Sequence, residues 1–301
     1  MIQALETIDL GKRYRRDWAL RGCTLKLPIG RVAGLVGPNG AGKTTLLHLA
    51  MGFLEPSAGS VQVLGEAPRQ NPLSILTHIG FVAQERPLYR TFSVKDMLTL
   101  GQKLNPHWDM ELAKERLADL SIPLNRTIEK LSGGQQAQVA LVMALAKRPE
   151  MLILDEPIAN LDPLARYEFQ QTLMDAVAQD GLTILFSSHL IADLDRICDY
   201  LIILSASQVQ IASDIEPVLR THKRLIGPRE RQASIARTHT ILQERSSERQ
   251  SNLLVRVHGP ILDPAWEVQE ASLEDIILAY LALPTGAAVS VQRKDTQEVA
   301  S

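Results

Sequence analysis

The sequence predicts an α/β fold in which a parallel sheet gathers ligand-binding groups at the carboxyl ends of its strands. Two observations lead to this prediction. Short apolar runs of strand length recur along the chain with helical patterns between them, as in a parallel sheet covered by helices. One of these runs, Val32–Val36, leads directly into a glycine-rich loop and then into a helical stretch.

The loop after this strand matches the phosphate-binding pattern G-x-x-x-x-G-K-[ST] from Gly37 to Thr44. Its glycines let the backbone curl so that successive N–H groups face phosphate oxygens, and the next helix directs its positive end at the same charge. In such a loop Lys43 reaches the β- and γ-phosphates, and the Thr44 hydroxyl holds Mg²⁺. The pattern predicts a nucleotide site, with Asn39, Gly40, Gly42 and Thr45 as its other loop residues.

Size and composition limit the possible classes of protein. A chain of 301 residues, 45% of them hydrophobic, can form one large domain and a smaller one. Its formal net charge of -2 gives no reason to expect a nucleic-acid partner. No run approaches the roughly 18 apolar residues that cross a bilayer, and the amino terminus shows no secretion pattern, so we expect a cytoplasmic protein. Cys23 and Cys198 form no paired motif and are expected to be small buried side chains.

The region before the loop, residues 2–33, alternates polar and apolar residues and predicts an antiparallel layer. Tyr14 in this region could stack on an adenine base, with Trp18 as a nearby competitor; the alternative is an ordinary half-buried strand residue. Further strands are expected at residues 60–64 and at Ile79–Val82. Gln84 follows the second of these, where its amide oxygen can face a metal ion or water.

Residues 93–130 predict a helical insertion that starts at a cap-like Ser93 and continues through a second helix at residues 110–120. The insertion ends at Leu131-Ser132-Gly133-Gly134-Gln135, which opens a long helix over residues 136–147. Hydroxyl and N–H donors at a helix N-terminus suit a second anion. The alternative is a serine N-cap beside a flexible turn.

Two further strands end in chemically active residues. The apolar run Met151–Leu154 leads into Asp155 and Glu156. Adjacent carboxylates at the end of a buried strand are costly unless a cation or a bound water uses them. The first would then serve Mg²⁺ and the second would polarise an attacking water. The run Thr183–Ser188 ends at His189, whose imidazole can contact a γ-phosphate, although a lone histidine is ordinarily just a satisfied polar residue.

With these residues in this order, the chain resembles the ATPase subunit of an ATP-binding cassette (ABC) transporter over about residues 2–215. The corresponding motifs are Walker A (Lys43, Thr44), the Q-loop (Gln84), the signature (residues 131–135), Walker B (Asp155, Glu156), the D-loop (Asp162), the switch histidine (His189) and the adenine-stacking aromatic (Tyr14). Two departures occur. Residues 136–138 lack the basic residue common in the family, and Ile158 replaces a commoner Thr; neither changes a group assigned to chemistry.

The resemblance implies the ABC ATPase form of the P-loop NTPase fold: a cassette at 1–215 with an antiparallel β layer and a helical subdomain at about 90–150. It implies ATP and Mg²⁺ as ligands, with Thr44, Gln84 and Asp155 at the metal. Glu156 would be the general base or water-orienting carboxylate, and Lys43 and His189 would stabilise γ-phosphate charge.

The resemblance also implies partners. The chain would pair with a second cassette, and the ATP bound to that cassette would be contacted by Ser132, Gly133, Gly134 and Gln135 of this chain. A separately encoded transmembrane permease would hold the chain at the inner face of the cell membrane.

Residues 216–283 predict a small α+β accessory domain. A strand is expected at residues 253–257, and a helix at 272–281 with a capping box of Ser272 and Asp275, packed on a small sheet. This extension and residues 106–109 look like cassettes of the ABC-2 type, which points to export. The basic run at 220–250 could touch anionic lipid or form a solvated face, and residues 284–301 are expected to be a flexible tail.

Two other functions stay open. A soluble cassette that regulates translation or DNA repair is disfavoured, because this chain has one cassette copy and a short insertion. A nonhydrolytic binding subunit is disfavoured because Glu156 and His189 are both present.

Overall fold

The computed structural model describes residues 2–283, so the expected tail at 284–301 lies outside the described residues. A six-stranded sheet forms the centre of the fold. In spatial order its strands are β5 (Ile79–Val82), β6 (Met151–Leu154), β7 (Thr183–Ser188), β3 (Val32–Val36), β8 (Tyr200–Ser205) and β9 (Gln208–Asp214). The first five are parallel and β9 is antiparallel to β8. The predicted parallel sheet is confirmed, and β3, β6 and β7 are buried along their whole length, which explains the continuous apolar sequences of β3 and β6 and the apolar centre of β7.

An antiparallel layer covers one face of this sheet. It contains β1 (Gln3–Tyr14), β2 (Asp17–Pro28) and β4 (Ala58–Val63), with β1 in the middle. Its apolar side chains share a core with those of the central sheet and of α1 (Lys43–Ala50). The expected layer is therefore present, and it supports the helix that follows the glycine-rich loop. A short helix, α2 (Pro72–His78), then leads into β5.

The predicted helical insertion is present as α3 (Val94–Leu104) and α4 (Met110–Asp119), and the predicted long helix follows it as α5 (Gly133–Leu145), which begins three residues before the expected start. Ser93 caps α3 by a full capping box, in which its hydroxyl accepts from the Asp96 amide and the Asp96 carboxylate accepts from the Ser93 amide. One side of α5 packs in the core of the insertion and the other packs in the main core beside the central sheet. This helix therefore links the two regions.

Two further helices pack in the main core: α6 (Pro163–Asp180) and α7 (Ile191–Ile197). Of the cysteines, Cys23 is buried as expected, whereas Cys198 is only partly buried. Burial raises the pKa of both thiols. Among residues 2–283, no helix has both the length and the apolar character needed to cross a membrane.

The C-terminal region forms a second small sheet. Its elements are α8 (Ile215–Thr221), β10 (His222–Pro228), α9 (Gln232–Thr238), β11 (Thr240–Ser246), β12 (Gln250–Arg256), β13 (Glu267–Glu270) and α10 (Leu273–Ala282). The sheet is antiparallel with the order β11-β12-β10-β13. Part of the basic run is paired with carboxylates, because Lys223 bonds to Glu270 of β13 and Arg224 bonds to Asp275 of α10.

The expected packing of the last helix needs correction. α10 contacts β11 of the small sheet, but it also contacts β8 and α7, and its apolar residues belong to the main core. The capping prediction is also only half right: the Ser272 hydroxyl accepts from the Asp275 amide, but the Asp275 carboxylate binds the Ser272 hydroxyl and Arg224. A sequence-local pattern identifies the apolar face of α10, but it does not specify which surface covers that face.

One buried hydrogen bond fixes this packing. The Tyr280 hydroxyl lies 3.0 Å from His222 Nε2, and His222 Nδ1 lies 2.7 Å from the Val218 carbonyl oxygen. Because a carbonyl only accepts, Nδ1 carries the proton and Nε2 accepts from Tyr280. Both side chains are buried, and burial lowers the pKa of His222, which favours this neutral form.

We predict that Tyr280→Phe lowers the free energy of unfolding by about 1–3 kcal/mol, because it leaves buried His222 Nε2 without a donor. Tyr167→Phe is the matched control, since Tyr167 is exposed on α6 and loses the same hydroxyl. Urea unfolding of both variants measures the difference. Equal stability of the two variants would contradict the anchoring role of the Tyr280 bond.

Candidate functional site

The glycine-rich loop joins β3 to α1 in a conformation that requires glycine. Gly40 and Gly42 have φ values of 80° and 103°, in the left-handed region. A side chain at Gly42 would also collide with the Ala19 carbonyl oxygen, and one at Gly37 would collide with that of Leu204. The N-cap of α1 is Gly42, which offers no side-chain acceptor to the first amides of the helix. These amides are therefore available to an anion.

The loop forms one wall of a cleft of about 720 Å³. The cleft is lined by Ala19, Asn39, Gly40, Gly42, Lys43, Thr44, Thr45, Gln84, Glu156 and His189. Apart from Ala19, these residues follow β3, β5, β6 and β7, four neighbouring parallel strands whose carboxyl ends meet at one edge. The structure thus brings together most of the residues predicted to bind a nucleotide.

Lys43 provides a buried positive charge at the base of this cleft. Only 6% of its side chain is exposed, and its Nζ donates to the Gly37 carbonyl oxygen at 2.8 Å. Glu156 Oε1 lies 3.5 Å from the same nitrogen, and the other carboxylate oxygen, Oε2, lies 3.1 Å from His189 Nδ1. Glu156 therefore lies between two groups that can be positively charged, and it balances the charge of Lys43.

Asp155 lies behind the cleft wall rather than on it. It is 2% exposed, and its Oδ1 accepts a 2.8 Å hydrogen bond from the Ser187 hydroxyl. The same hydroxyl accepts from the Glu156 amide at 2.8 Å. Ser187 therefore orients both carboxylate residues, although the sequence predicts it only as part of a strand. A hydroxyl at the end of an otherwise apolar strand is the feature that indicates such a role.

Magnesium would fit the oxygen groups of this cleft. Mg²⁺ is usually held by one or two carboxylates together with substrate phosphates, rather than by a full set of protein ligands. Thr44, Gln84 and Glu156 line the cleft beside the loop, and Asp155 lies directly behind it. Within the described residues there is no cluster of three His, Cys, Asp or Glu side chains. The donor set therefore suits an ion that the nucleotide itself helps to bind.

The helix after His189 is tied to the helix after Asp162. Asp162 caps α6 by accepting from the Leu164 and Ala165 amides. Farther along α6, Gln170 donates to Asp193 of α7 at 3.2 Å, and Arg166 lies 3.9 Å from the same carboxylate. Burial raises the pKa of Asp193. The helices that follow Asp162 and His189 are therefore joined by polar side-chain contacts.

The predicted signature residues and the predicted adenine-stacking residue lie outside the wall of this cleft. The residues Ser132 and Gln135 form a capping box at α5, in which each side chain accepts from the backbone amide of the other. Neither they nor the glycines between them line the cleft of their own chain. Tyr14 is half exposed near the tip of the β1–β2 hairpin, with Lys12 Nζ 5.5 Å from its ring centroid. Its competitor Trp18 has the Arg13 guanidinium 5.6 Å from its own ring centroid.

Comparison with known proteins places these features in a family. The family model described as ABC transporter matches residues 20–159. The thiamine import ATP-binding protein ThiQ of Vibrio parahaemolyticus is 32% identical, over 71% of this chain and 92% of its own length. The Nod factor export ATP-binding protein I of Sinorhizobium fredii is 34% identical, over 67% of this chain and 60% of its own length.

Another relative and a solved structure extend the comparison. The ABC transporter ATP-binding protein YtrB of Bacillus subtilis is 25% identical over 91% of this chain and 97% of its own length. That coverage includes most of residues 216–283. A solved structure described as the ATP binding subunit of an ABC transporter has a TM-score of 0.65 and 26% identity, covering 72% of this chain and 92% of its own.

Proposed function

Since this chain belongs to the ATP-binding proteins of ABC transporters, which are ATP-hydrolysing subunits, we propose that it drives a separately encoded membrane permease. The observation that carries this proposal is the cleft in which the loop lysine, a glutamate and a histidine meet at the ends of parallel strands. A nonhydrolytic role would not require Glu156 and His189 to lie 3.1 Å apart beside Lys43.

In the proposed reaction, the loop binds the phosphates of ATP and Tyr14 stacks on the adenine. Lys43 leaves the Gly37 carbonyl for the β- and γ-phosphates, since a phosphate is a stronger acceptor than a neutral carbonyl. Glu156 orients or deprotonates the attacking water, and His189 contacts the γ-phosphate. Thr44, Gln84 and Asp155 would hold Mg²⁺, which when bound neutralises phosphate charge.

The proposed active unit is a pair of cassettes. Ser132, Gly133, Gly134 and Gln135 lie outside the cleft of their own chain, and they present a helix N-terminus that suits an anion. A second cassette would supply its bound ATP to this helix end, with Asp162 at the contact between the two chains. ATP binding would then close the pair, and hydrolysis would reopen it.

An apolar groove supports the proposed contact with a permease. The groove, of about 300 Å³, lies between the central sheet and the helical insertion, and includes Phe53, Leu76, Phe81, Pro87 and Trp108. Phe53 is 51% exposed and Leu76 is 42% exposed. The segment that follows Gln84 forms part of the same groove. An exposed apolar patch joined to a cleft residue suits a partner that responds to the nucleotide.

We further propose that the permease is an exporter and that the chain lies at the inner face of the cell membrane. Export is supported by the C-terminal extension and by the Pro106–Asp109 segment, which look like those of ABC-2 cassettes. The relatives named for import and for export have similar identities over the cassette, so their names alone do not decide direction. Transport in inverted membrane vesicles would distinguish the two directions.

We predict that Glu156→Gln keeps ATP binding and ATP-dependent pairing but lowers turnover at least about 100-fold, since it removes the base from an otherwise intact cleft. Steady-state phosphate release and light scattering measure these two properties. Glu150→Gln is the matched control, because Glu150 is exposed just before the start of β6, at the strand end opposite Glu156. Fast hydrolysis by the Glu156 variant would contradict the assignment.

We predict that Leu76→Arg retains ATP hydrolysis but lowers recovery of a membrane partner more than about tenfold, because it places a charge in the apolar groove. Affinity purification of tagged chain from solubilised native membranes measures that recovery. Leu262→Arg, at an 84% exposed leucine of the C-terminal region, is the control. Equal recovery with both variants would exclude the groove as the permease contact.

A further inference from the structure

Arg86 forms an unusual set of hydrogen bonds two residues after Gln84. Its Nη1 donates to the Gly133 carbonyl oxygen at 3.2 Å. Its Nη2 donates to the carbonyl oxygens of Pro157 at 2.9 Å and Ala159 at 3.2 Å. One guanidinium therefore bridges the start of α5 and the loop that follows Glu156, while its own backbone continues the Gln84 segment.

The three acceptors are neutral, which makes this position costly for a charged group. The described residues offer Arg86 no carboxylate partner, and burial lowers the pKa of its guanidinium. Arginine nevertheless keeps its proton at neutral pH. Arg86 is therefore a half-buried cation that contacts only carbonyl dipoles. This arrangement indicates that the fold uses the hydrogen-bonding geometry of the guanidinium rather than its charge.

The backbone around these bonds is strained. Arg86, Glu156 and Asn160 all have positive φ values, of 45°, 45° and 63°. Side-chain-bearing residues rarely adopt this region, and they remain there only when the surroundings hold them. Glu156 and Asn160 flank the two carbonyl acceptors Pro157 and Ala159. The Arg86 bonds therefore hold the loop that sets the backbone position of Glu156.

We propose that Arg86 is a positioning residue that joins the Gln84 segment, the Glu156 loop and the start of α5 into one unit, here called the Arg86 tether. The inference rests on the proposed function, in which Gln84 helps to hold the Mg²⁺ of the bound nucleotide and the start of α5 serves the second cassette. Through the tether, a shift of the Gln84 segment moves Glu156 and the signature together. Phosphate binding in one cleft is thereby coupled to the contact with the neighbouring chain.

The kinetic test compares wild type with Arg86→Gln and Arg86→Lys. Both variants should bind ATP within about twofold of wild type, since no P-loop contact changes. Turnover should fall at least about tenfold, because the Glu156 loop and the signature are no longer held together. In a Glu156→Gln background, ATP-dependent pairing should weaken by a similar factor. Lysine should not rescue, because it lacks the planar fork that reaches both segments.

The matched control is Arg90→Gln. Arg90 is exposed, and its side chain makes no hydrogen bond or ion pair among residues 2–283. This variant should match wild type in binding, turnover and pairing. The inference is overturned if Arg86→Gln turns over ATP within twofold of wild type or if Arg86→Lys restores turnover. It is also overturned if ATP binding and the melting temperature of Arg86→Gln fall in parallel with its turnover.

Hydrogen exchange in the nucleotide-free chain tests the tether without relying on hydrolysis. In Arg86→Gln, the amides of residues 135, 136, 159 and 161 should exchange at least about tenfold faster, while those of β6 stay protected. Unchanged exchange of these four amides in Arg86→Gln would contradict the proposed tether. If wild type neither hydrolyses ATP nor pairs, the proposed function is contradicted, and the exchange result alone then decides whether Arg86 joins the two segments.

Discussion

The parallel pairing of β5, β6, β7 and β3 is the constraint on which the site depends. Because parallel strands end at the same edge, the segments that follow them deliver Gln84, Glu156, His189 and Lys43 to one cleft. Lys43 is buried at this edge, and its charge requires the nearby Gly37 carbonyl and Glu156. Local sequence supplies the groups, but the sheet order sets their distances.

The parts of the fold with strong local patterns could be predicted from sequence. The glycine-rich loop, the apolar strand before Asp155 and the capped helix after Ser93 each have a short-range cause. Ser187 and Arg86 could not be assigned in this way, because their roles come from bonds to residues about 30 to 70 positions away. The strands β10, β11 and β13 carry many polar residues and alternate only weakly. Their sequences therefore do not predict the pairing that forms the C-terminal sheet.

The packing of the C-terminal region also could not be predicted from local sequence. The sequence indicates a helix after Ser272, but not that its apolar face joins the main core through Tyr280 and His222. This packing makes residues 216–283 continuous with the cassette rather than a loosely attached addition. The helix α7 follows His189 and contacts α10 directly, so a movement of α7 would act on α10. Residues 216–283 are therefore connected to the cleft through α7 and His189.

If this ATPase drives a membrane permease, the permease should be recovered together with it from native membranes. Tagged Glu156→Gln chain, held with ATP and Mg²⁺, is purified from gently solubilised native membranes, and the accompanying proteins are identified by mass spectrometry. We expect a stoichiometric polypeptide with several membrane spans. Recovery of ribosomal or DNA-repair proteins without any membrane protein would contradict it while leaving the ATP cleft intact.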